Sequence, residues 1–452
     1  MTHFHHQKLA NGLTIIAEEL PFARSLSLGF FVRCGSRHET VENAGISHFL
    51  EHMIFKGSPR RSPQDVNREF DALGISFNAC TAEEMTVFYA SLLPEFLEPC
   101  VEIYADILRP GIRESDFRAE KEVILEEIEM YENEPPYSLD DRLRQTFFAG
   151  HPLGNPVLGN VKSVRKLTSA RLKAWWQEKY SPENIVLCAC GKVDFLELVR
   201  LAEKYCGAWE NSPKMERLAE TESTGKAERA RSWRDVLFST KKTPQETVVE
   251  GLSEQETSPI SLTLPTPVTP KLGFETFQHP EATQLYFLSC SASSVAEYRQ
   301  RLVGRLIASI LGDDAGSRLY WEFVDSGLAE YAVLGFTDFT DAGFFNTSLC
   351  CEPEKGAENW EKLEKIYRNA EEGGITETEL ALAKNRIATA TVLGSEKGWN
   401  RIFAVGGDWT TEETYHTVQA EIDTLRSITL EEINAILADY PLTRSLTFQI
   451  GP

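Results

Sequence analysis

The sequence predicts an α+β fold of two similar domains, each a sheet packed with helices. Three observations predict it. At 452 residues the chain is longer than a single hydrophobic core usually grows, so it divides into domains of about 200 residues. Segments with the two-residue apolar period of strands alternate along it with segments of helical period. Finally, Gly111-Ile112-Arg113-Glu114-Ser115-Asp116-Phe117 and Gly374-Ile375-Thr376-Glu377-Thr378-Glu379-Leu380 share one pattern, so the second half reads as a diverged copy of the first.

In the first half, residues 7–34 read as a hairpin. One strand, residues 13–18, follows an Asn11-Gly12 turn; in the other, residues 25–32, Leu26, Leu28, Phe30 and Val32 recur with period two. A helix over 41–55 stops near Gly57-Ser58-Pro59, and a second over 62–73 has Ser62-Pro63 as cap and first turn. Residues 75–90 read as strand, turn, strand, followed by a helix over 93–108. The helix over 115–132 is rich in acid. On it Glu120 and Glu127, two turns apart, share an inward face with Val123, Ile124 and Ile128. After a Pro135-Pro136 break, helices over 140–148 and 169–180 flank the loop His151-Pro152-Leu153-Gly154-Asn155-Pro156. A strand over 185–191 and a helix over 194–208 close this half.

Residues 210–272 turn to Glu, Thr, Ser, Pro and Lys with few apolar side chains, too few to offset the entropy of ordering. They read as a largely flexible linker with one docked turn around Trp233. The second half opens with a strand over 284–288 and a helix over 295–311. The expected domains are therefore 1–210, a linker over 211–272, and 273–452.

A net charge of −22 and a pI near 5.0 exclude a nucleic-acid partner, which needs a basic face. No apolar run approaches the ~18 residues that cross a bilayer, so membrane insertion is not expected. The amino terminus shows no basic segment followed by an apolar one, and a cytoplasmic location is expected by default. Nine cysteines, none at zinc-knuckle spacing, read as reduced structural thiols.

The chemistry concentrates in Gly45-Ile46-Ser47-His48-Phe49-Leu50-Glu51-His52-Met53-Ile54-Phe55-Lys56. On a helix, His48 and His52 stack one turn apart and Glu51 lies beside them, the His-x-x-Glu-His order of an inverted zinc-peptidase motif. Such a pair also arises on ordinary helix surfaces. The interleaved Phe49, Leu50, Met53 and Ile54, together with the inward glutamates, point instead to a buried metal centre that needs a third ligand. The internal repeat separates chemistry from scaffold. His48, Glu51 and His52 fall opposite Val303, Leu306 and Ile307, and Glu120 and Glu127 fall opposite Ala383 and Ala390, so each is apolar in the second copy.

With the motif through Gly57, Phe77-Asn78-Ala79-Cys80-Thr81 with Glu84, Thr86 and Tyr89, Glu120-Lys121-Glu122-Val123-Ile124-Leu125-Glu126-Glu127-Ile128 and His151-Pro152-Leu153-Gly154, the chain resembles the pitrilysin/insulinase family of zinc peptidases. That family includes the mitochondrial processing peptidases, and the resemblance covers nearly the whole sequence. It implies mostly antiparallel sheets facing each other across a cleft. One Zn²⁺ per chain is implied on His48, His52 and Glu127, supported by Glu120, with Glu51 as the base in peptide-bond hydrolysis. Asn78 and Ala79 are implied on a free strand edge that receives a peptide substrate. From the second half Tyr331 is implied as an oxyanion donor, although Val324 stands where the family's arginine is expected. A homodimer, or a heterodimer with a related chain, is implied as well. The alternative within the same resemblance is a non-catalytic or partner-dependent subunit of a larger assembly.

Overall fold

A computed structural model of the chain describes residues 3–133, 137–211, 270–280, 282–295 and 297–452. Nearly all of the expected linker, its turn at Trp233 and the Pro135-Pro136 break lie outside the described residues.

In the first half, His3–Lys8 (β1) and Thr14–Glu19 (β2) pair antiparallel around the Asn11-Gly12 turn, where Gly12 takes a φ of 93°. The hairpin thus forms one strand earlier than the sequence suggested. Leu26–Val32 (β3) is buried along its whole length, and a strand apolar on both faces belongs inside a sheet rather than in a two-stranded ribbon. It lies between Ile185–Gly191 (β6) and Thr86–Leu92 (β5), antiparallel to both, while β2 runs parallel to β6. Ser76–Thr81 (β4) pairs with β5, which gives the order β1-β2-β6-β3-β5-β4 with β4 at an edge.

One face of this sheet carries the helices Ile46–Ile54 (α1), Pro63–Ala72 (α2), Leu97–Ile107 (α3) and Glu114–Glu132 (α4), followed after Tyr137–Phe147 (α5) by Val161–Lys166 (α6), Ser169–Lys179 (α7) and Phe195–Cys206 (α8). Ser62 caps α2 by accepting from Asp65 N, as its sequence signature requires. The first of these helices is shorter than expected: residues 41–45 form a turn, and α1 starts only after Gly45. On α4, Ile124 and Ile128 are buried as expected, but Val123 is 48% exposed.

The second half contains Gly273–Gln278 (β7), Leu285–Ser293 (β8), Tyr298–Gly312 (α9), Tyr331–Asp338 (β9), Gly343–Cys351 (β10), Gly356–Asn369 (α10), Glu377–Ser395 (α11), Gly398–Glu412 (α12), Val418–Ser427 (α13), Leu430–Asp439 (α14) and Ser445–Gly451 (β11). Its sheet order, β7-β11-β8-β10-β9, repeats β2-β6-β3-β5-β4 strand for strand, including the single parallel pair, β7 with β11. The two long helices α4 and α11 each span 19 residues in the register of the sequence repeat. Two mixed, mostly antiparallel sheets with packed helices are the fold class the sequence predicts.

The halves are joined by a reciprocal exchange. Helix α5 of the first half lays Leu139, Leu143 and Phe147 on the second sheet, against Leu288, Phe344, Leu446 and Phe448. In return α12 lays Ile402 and Val405 on the first sheet, against Ile16, Phe31, Val186 and Cys188. The approach is close at Gly406, where an added Cβ would stand 2.4 Å from the Phe31 ring. Arg401 of α12 and Glu18 of β2 lie buried in this seam, 2.6 Å apart, and Tyr415 donates to the same carboxylate at 2.8 Å.

All nine cysteines are unpaired; eight are buried and Cys80 is exposed. Among the described residues no helix is long and apolar enough to cross a membrane.

Candidate metal centre

Helix α1 is wedged between the first sheet and α4, with Phe49 stacked on Phe117 of α4 at 4.7 Å between ring centroids. Both of its ends are fixed. At the N-terminus no side chain of α1 itself caps the helix. Instead the buried Glu39 carboxylate accepts from Gly45 N and Ser47 N, each at 2.7 Å, as favoured at the positive end of a helix. Burial nonetheless pushes Glu39 up to about 7. Gly45 takes a φ of 88°, and an added Cβ would stand 2.5 Å from Leu158 O, so glycine is required there. At the other end, Arg113 donates to Lys56 O and, at 3.0 Å, to Ser58 O.

Held this way, the one-turn spacing of His48 and His52 brings their rings to 4.6 Å between centroids. Glu127 reaches between them from α4, with Oε2 at 3.9 Å from His48 Nε2 and 3.7 Å from His52 Nε2. One donor atom of each of the three side chains lies within 4.8 Å of the others, the single such group of metal-capable residues among those described. Glu120, two turns before Glu127, accepts from His52 Nδ1 at 2.8 Å, and its other oxygen meets Lys56 Nζ at 2.5 Å. Glu51 points elsewhere: Thr81 Oγ1 donates to its Oε2 at 2.6 Å. Neither the Lys56 nor the Thr81 contact was anticipated. Lys56 stands one helical turn beyond His52, and Thr81 closes the Phe77–Thr81 motif, so the spacing of both was visible.

Electrostatics follow the geometry. Burial, and then the neighbouring His52, lowers His48 to about 3, which keeps its imidazole neutral. Burial lowers His52 too, but the Glu120 hydrogen bond and the surrounding carboxylates outweigh it and the net shift is upward. Burial raises Glu51 and Glu127. Burial opposes the charge on Glu120 as well, yet the hydrogen bonds from His52 and Lys56 prevail and lower it.

The cluster fits a zinc ion by the chemistry of its donors. Two imidazole nitrogens and one carboxylate oxygen form a borderline-soft set, open on one side, of the kind catalytic zinc takes. Glu127 Oε2 is buried without any hydrogen-bond partner, an arrangement that costs free energy unless something else satisfies it.

The remaining predicted residues are more dispersed. Asn78 is exposed on β4, its Oδ1 accepting from Ala79 N at 2.9 Å, and Ala79 is buried. Asn78 is the register partner of Tyr89 on β5. Beyond β4 the sheet has no further strand among the described residues. Tyr331 opens β9 in the other half, half-buried and in register with Cys350. Val324 ends a π-helical turn, Tyr320–Val324.

Comparison with known proteins identifies the family. The chain is 30% identical over 446 residues to a protein of Mycobacterium tuberculosis named an uncharacterized zinc protease, covering 98% of this chain and 92% of that one. Residues 14–161 match the family model described as insulinase, peptidase family M16, and residues 166–387 the one described as the M16 inactive domain. This chain belongs to the insulinase family, M16.

Within that family, the beta subunit of the mitochondrial processing peptidase of Saccharomyces cerevisiae is 38% identical over 201 residues, covering 44% of each chain. The fold recurs in the crystal structure of a protease from Helicobacter pylori, with a TM-score of 0.83 at 17% identity over the whole of both chains. It recurs again in an M16 inactive-domain structure from Pseudomonas fluorescens, with a TM-score of 0.81 at 18% identity, covering 100% of this chain and 98% of that one. The M16 membership and the two-domain fold agree with what the motifs imply.

Proposed function

We propose that this chain is a zinc-dependent endopeptidase acting on peptides or unfolded segments. The observation that carries the reading is the convergence of His48, His52 and Glu127 around a buried, unsatisfied carboxylate oxygen, with Glu51 free of that cluster on the same helix. His48, His52 and Glu127 hold one Zn²⁺, which when bound supplies a Lewis acid that makes water nucleophilic near neutral pH. Glu120 accepts from His52 Nδ1–H, which leaves Nε2 unprotonated and aimed at the cluster. Thr81 occupies Glu51 Oε2 and leaves Oε1 to take the proton of the attacking water and then pass it to the departing amine. The substrate backbone adds as a strand along β4 at Asn78 and Ala79. Tyr331 donates to the developing oxyanion.

On this reading residues 1–210 form the catalytic domain, 211–272 connect, and 273–452 form the inactive partner. The names of the relatives, zinc proteases and a processing-peptidase subunit, support the reaction class and assembly with a further chain, which on this reading is a second copy or a related one. Nine unpaired thiols suit a reducing compartment such as the cytoplasm, which fractionation of native cells tests.

Purified protein should bind one zinc per chain and cleave a quenched-fluorescence peptide library. Glu51→Gln should retain the metal and abolish cleavage. Failure of the wild type to bind zinc sinks the proposal. Val324, standing in place of the expected arginine, supports a second reading in which turnover requires a partner chain. Zinc retained without cleavage by the isolated protein, together with cleavage restored by a related chain, selects that reading.

A further inference from the structure

Lys56 is the one lysine or arginine, among the described residues, that forms an ion pair with Glu51, Glu120 or Glu127. Its Nζ lies 2.5 Å from Glu120 Oε2, while the other oxygen of the same carboxylate receives His52 Nδ1 at 2.8 Å. The backbone of Lys56 is in turn gripped by Arg113, which donates to Lys56 O from the N-terminal end of α4. A relay of contacts therefore runs from α4 through Arg113 to Lys56, through Glu120 to His52, and ends at the nitrogen that faces Glu127. The Lys56 side chain is about one-third exposed and Glu120 is nearly covered, so the ammonium sits at the rim and the carboxylate inside.

The internal duplication says what Lys56 is not for. Superposing the helix ends at Gly57 and Gly312 sets Lys56 opposite Leu311, which is fully buried in the core of the second half. In that same alignment His48, Glu51 and His52 meet Val303, Leu306 and Ile307. A scaffold that uses leucine at this position needs no cation to fold. Lysine occurs in the copy that has the imidazoles and carboxylates and is replaced in the copy that has none.

We propose that Lys56 is a positioning residue for the metal centre: it pins the Glu120 carboxylate so that Oε1 is presented to His52 Nδ1, and thereby aims His52 Nε2 at the metal. The inference rests on the zinc-binding reading above. Without the lysine, Glu120 keeps only the neutral His52 imidazole of these two partners and lies beside Glu127 on α4 with no cation to hold it. The ring of His52 then loses the fixed acceptor that sets its rotation. Outer-shell partners of this kind typically change metal affinity by 10–100-fold.

The test is zinc affinity of the full-length protein, measured by competition with a chromophoric chelator, for wild type, Lys56→Met, Lys56→Arg, Glu120→Gln and the double variant Lys56→Met/Glu120→Gln. Lys56→Met should weaken zinc about 10–100-fold, and Lys56→Arg should recover most of that loss. In the Glu120→Gln background Lys56→Met should have no further effect, because the contact through which it acts is already gone. Thermal melting of the metal-free proteins separates folding from binding: Lys56→Met should shift zinc affinity while leaving the metal-free melting temperature within a few degrees of wild type. Unchanged zinc affinity in Lys56→Met overturns the proposal, and so does an equal loss with and without Glu120. A wild type that binds no zinc overturns the metal-centre reading itself, a result distinct from either.

Discussion

Replacing Arg401 by Met should open the seam between the two halves. The guanidinium meets Glu18 through Nε at 2.6 Å and Nη2 at 2.8 Å, both side chains are nearly fully buried, and burial alone would lower Arg401. Glu18 instead holds Arg401 charged and shifts it upward. Methionine keeps the apolar stem but leaves the Glu18 carboxylate buried with the Tyr415 hydroxyl, at 2.8 Å, as its remaining side-chain donor among the described residues. Removing one partner of a buried pair costs about 3–5 kcal/mol. At about 1.4 kcal/mol per tenfold, this is roughly two to four powers of ten in the opening equilibrium. Hydrogen exchange suits the assay because a two-domain chain need not unfold in one step. Amides of α12 and β2 should lose about 10²–10⁴ in protection while the second sheet keeps its own. The double variant Glu18→Leu/Arg401→Met should regain most of the loss, since an apolar pair of similar volume needs no counter-charge. Arg118→Met, which removes a solvent-exposed pair with Glu114, should leave α4 protection unchanged. A loss under tenfold in Arg401→Met, or a double variant no better than the single one, refutes the reasoning.

Thr81→Ala should keep zinc and lower kcat about tenfold to a hundredfold, because a hydrogen bond to a charged group is worth about 1.5–3 kcal/mol; Thr81→Ser should restore it, and equal kcat in Thr81→Ala removes Thr81 from the mechanism. Gly45→Ala combines a left-handed φ with a Cβ 2.5 Å from Leu158 O, and should lower the melting temperature and loosen α1 by about 2 kcal/mol or more, read by exchange of the Ile46–Ile54 amides. Burial lowers His38 to about 4 from an ordinary 6.5, assisted by Lys179. Its neutral imidazole therefore contributes stability that is complete above pH 6.5 and lost progressively as pH falls toward 4, up to about 3 kcal/mol. His38→Asn should flatten the stability profile over that window alone, and identical wild-type and variant slopes would count against the burial argument.

Local rules carried the reading wherever a segment's own pattern decides its structure. The Ser62-Pro63 start of α2, the strands at β4 and β6 and the register of α4 with α11 are all set by neighbours in sequence. Pairing between distant segments was harder. The alternation in β3 is real, but all seven residues are buried, and the residues between the apolar ones face α12 from the other half, a contact no local window contains. Val123 was misjudged for another reason: α4 has a narrow inward stripe through Ile124 and Ile128, and a helical wheel alone cannot set its width. The His48–His52 pair and the shared inward face of Glu120 and Glu127 were legible as spacing plus periodicity, while the choice of Glu127 as the third ligand came from the family resemblance. The hydrogen bonds from Lys56 and Thr81 were not legible, because both depend on side-chain rotamers fixed by packing.

The duplication also distinguishes scaffold lysines from site lysines in a single chain. Lys121 is adjacent to Glu120 and would pass for part of the cluster on sequence alone. Its Nζ instead donates to the carbonyls of Arg165 and Leu167 at the C-terminal end of α6, at 3.0 and 2.7 Å. Lys384 of the second half donates in the same way to Arg426 and Ile428 at the end of α13, at 2.9 and 2.5 Å. In each case the last acceptor is the residue that caps the helix, where a cation is favourable and the carbonyls lack partners. A contact present in both copies, one with imidazoles and one without, serves the architecture they share. Lys56 fails that criterion, because Leu311 fills its place, and Lys121 meets it. Lys121→Met should therefore destabilise the α4–α6 contact and leave zinc affinity unchanged, the opposite of what is expected at Lys56. A zinc affinity that falls in Lys121→Met would remove duplication as a guide to function in this fold.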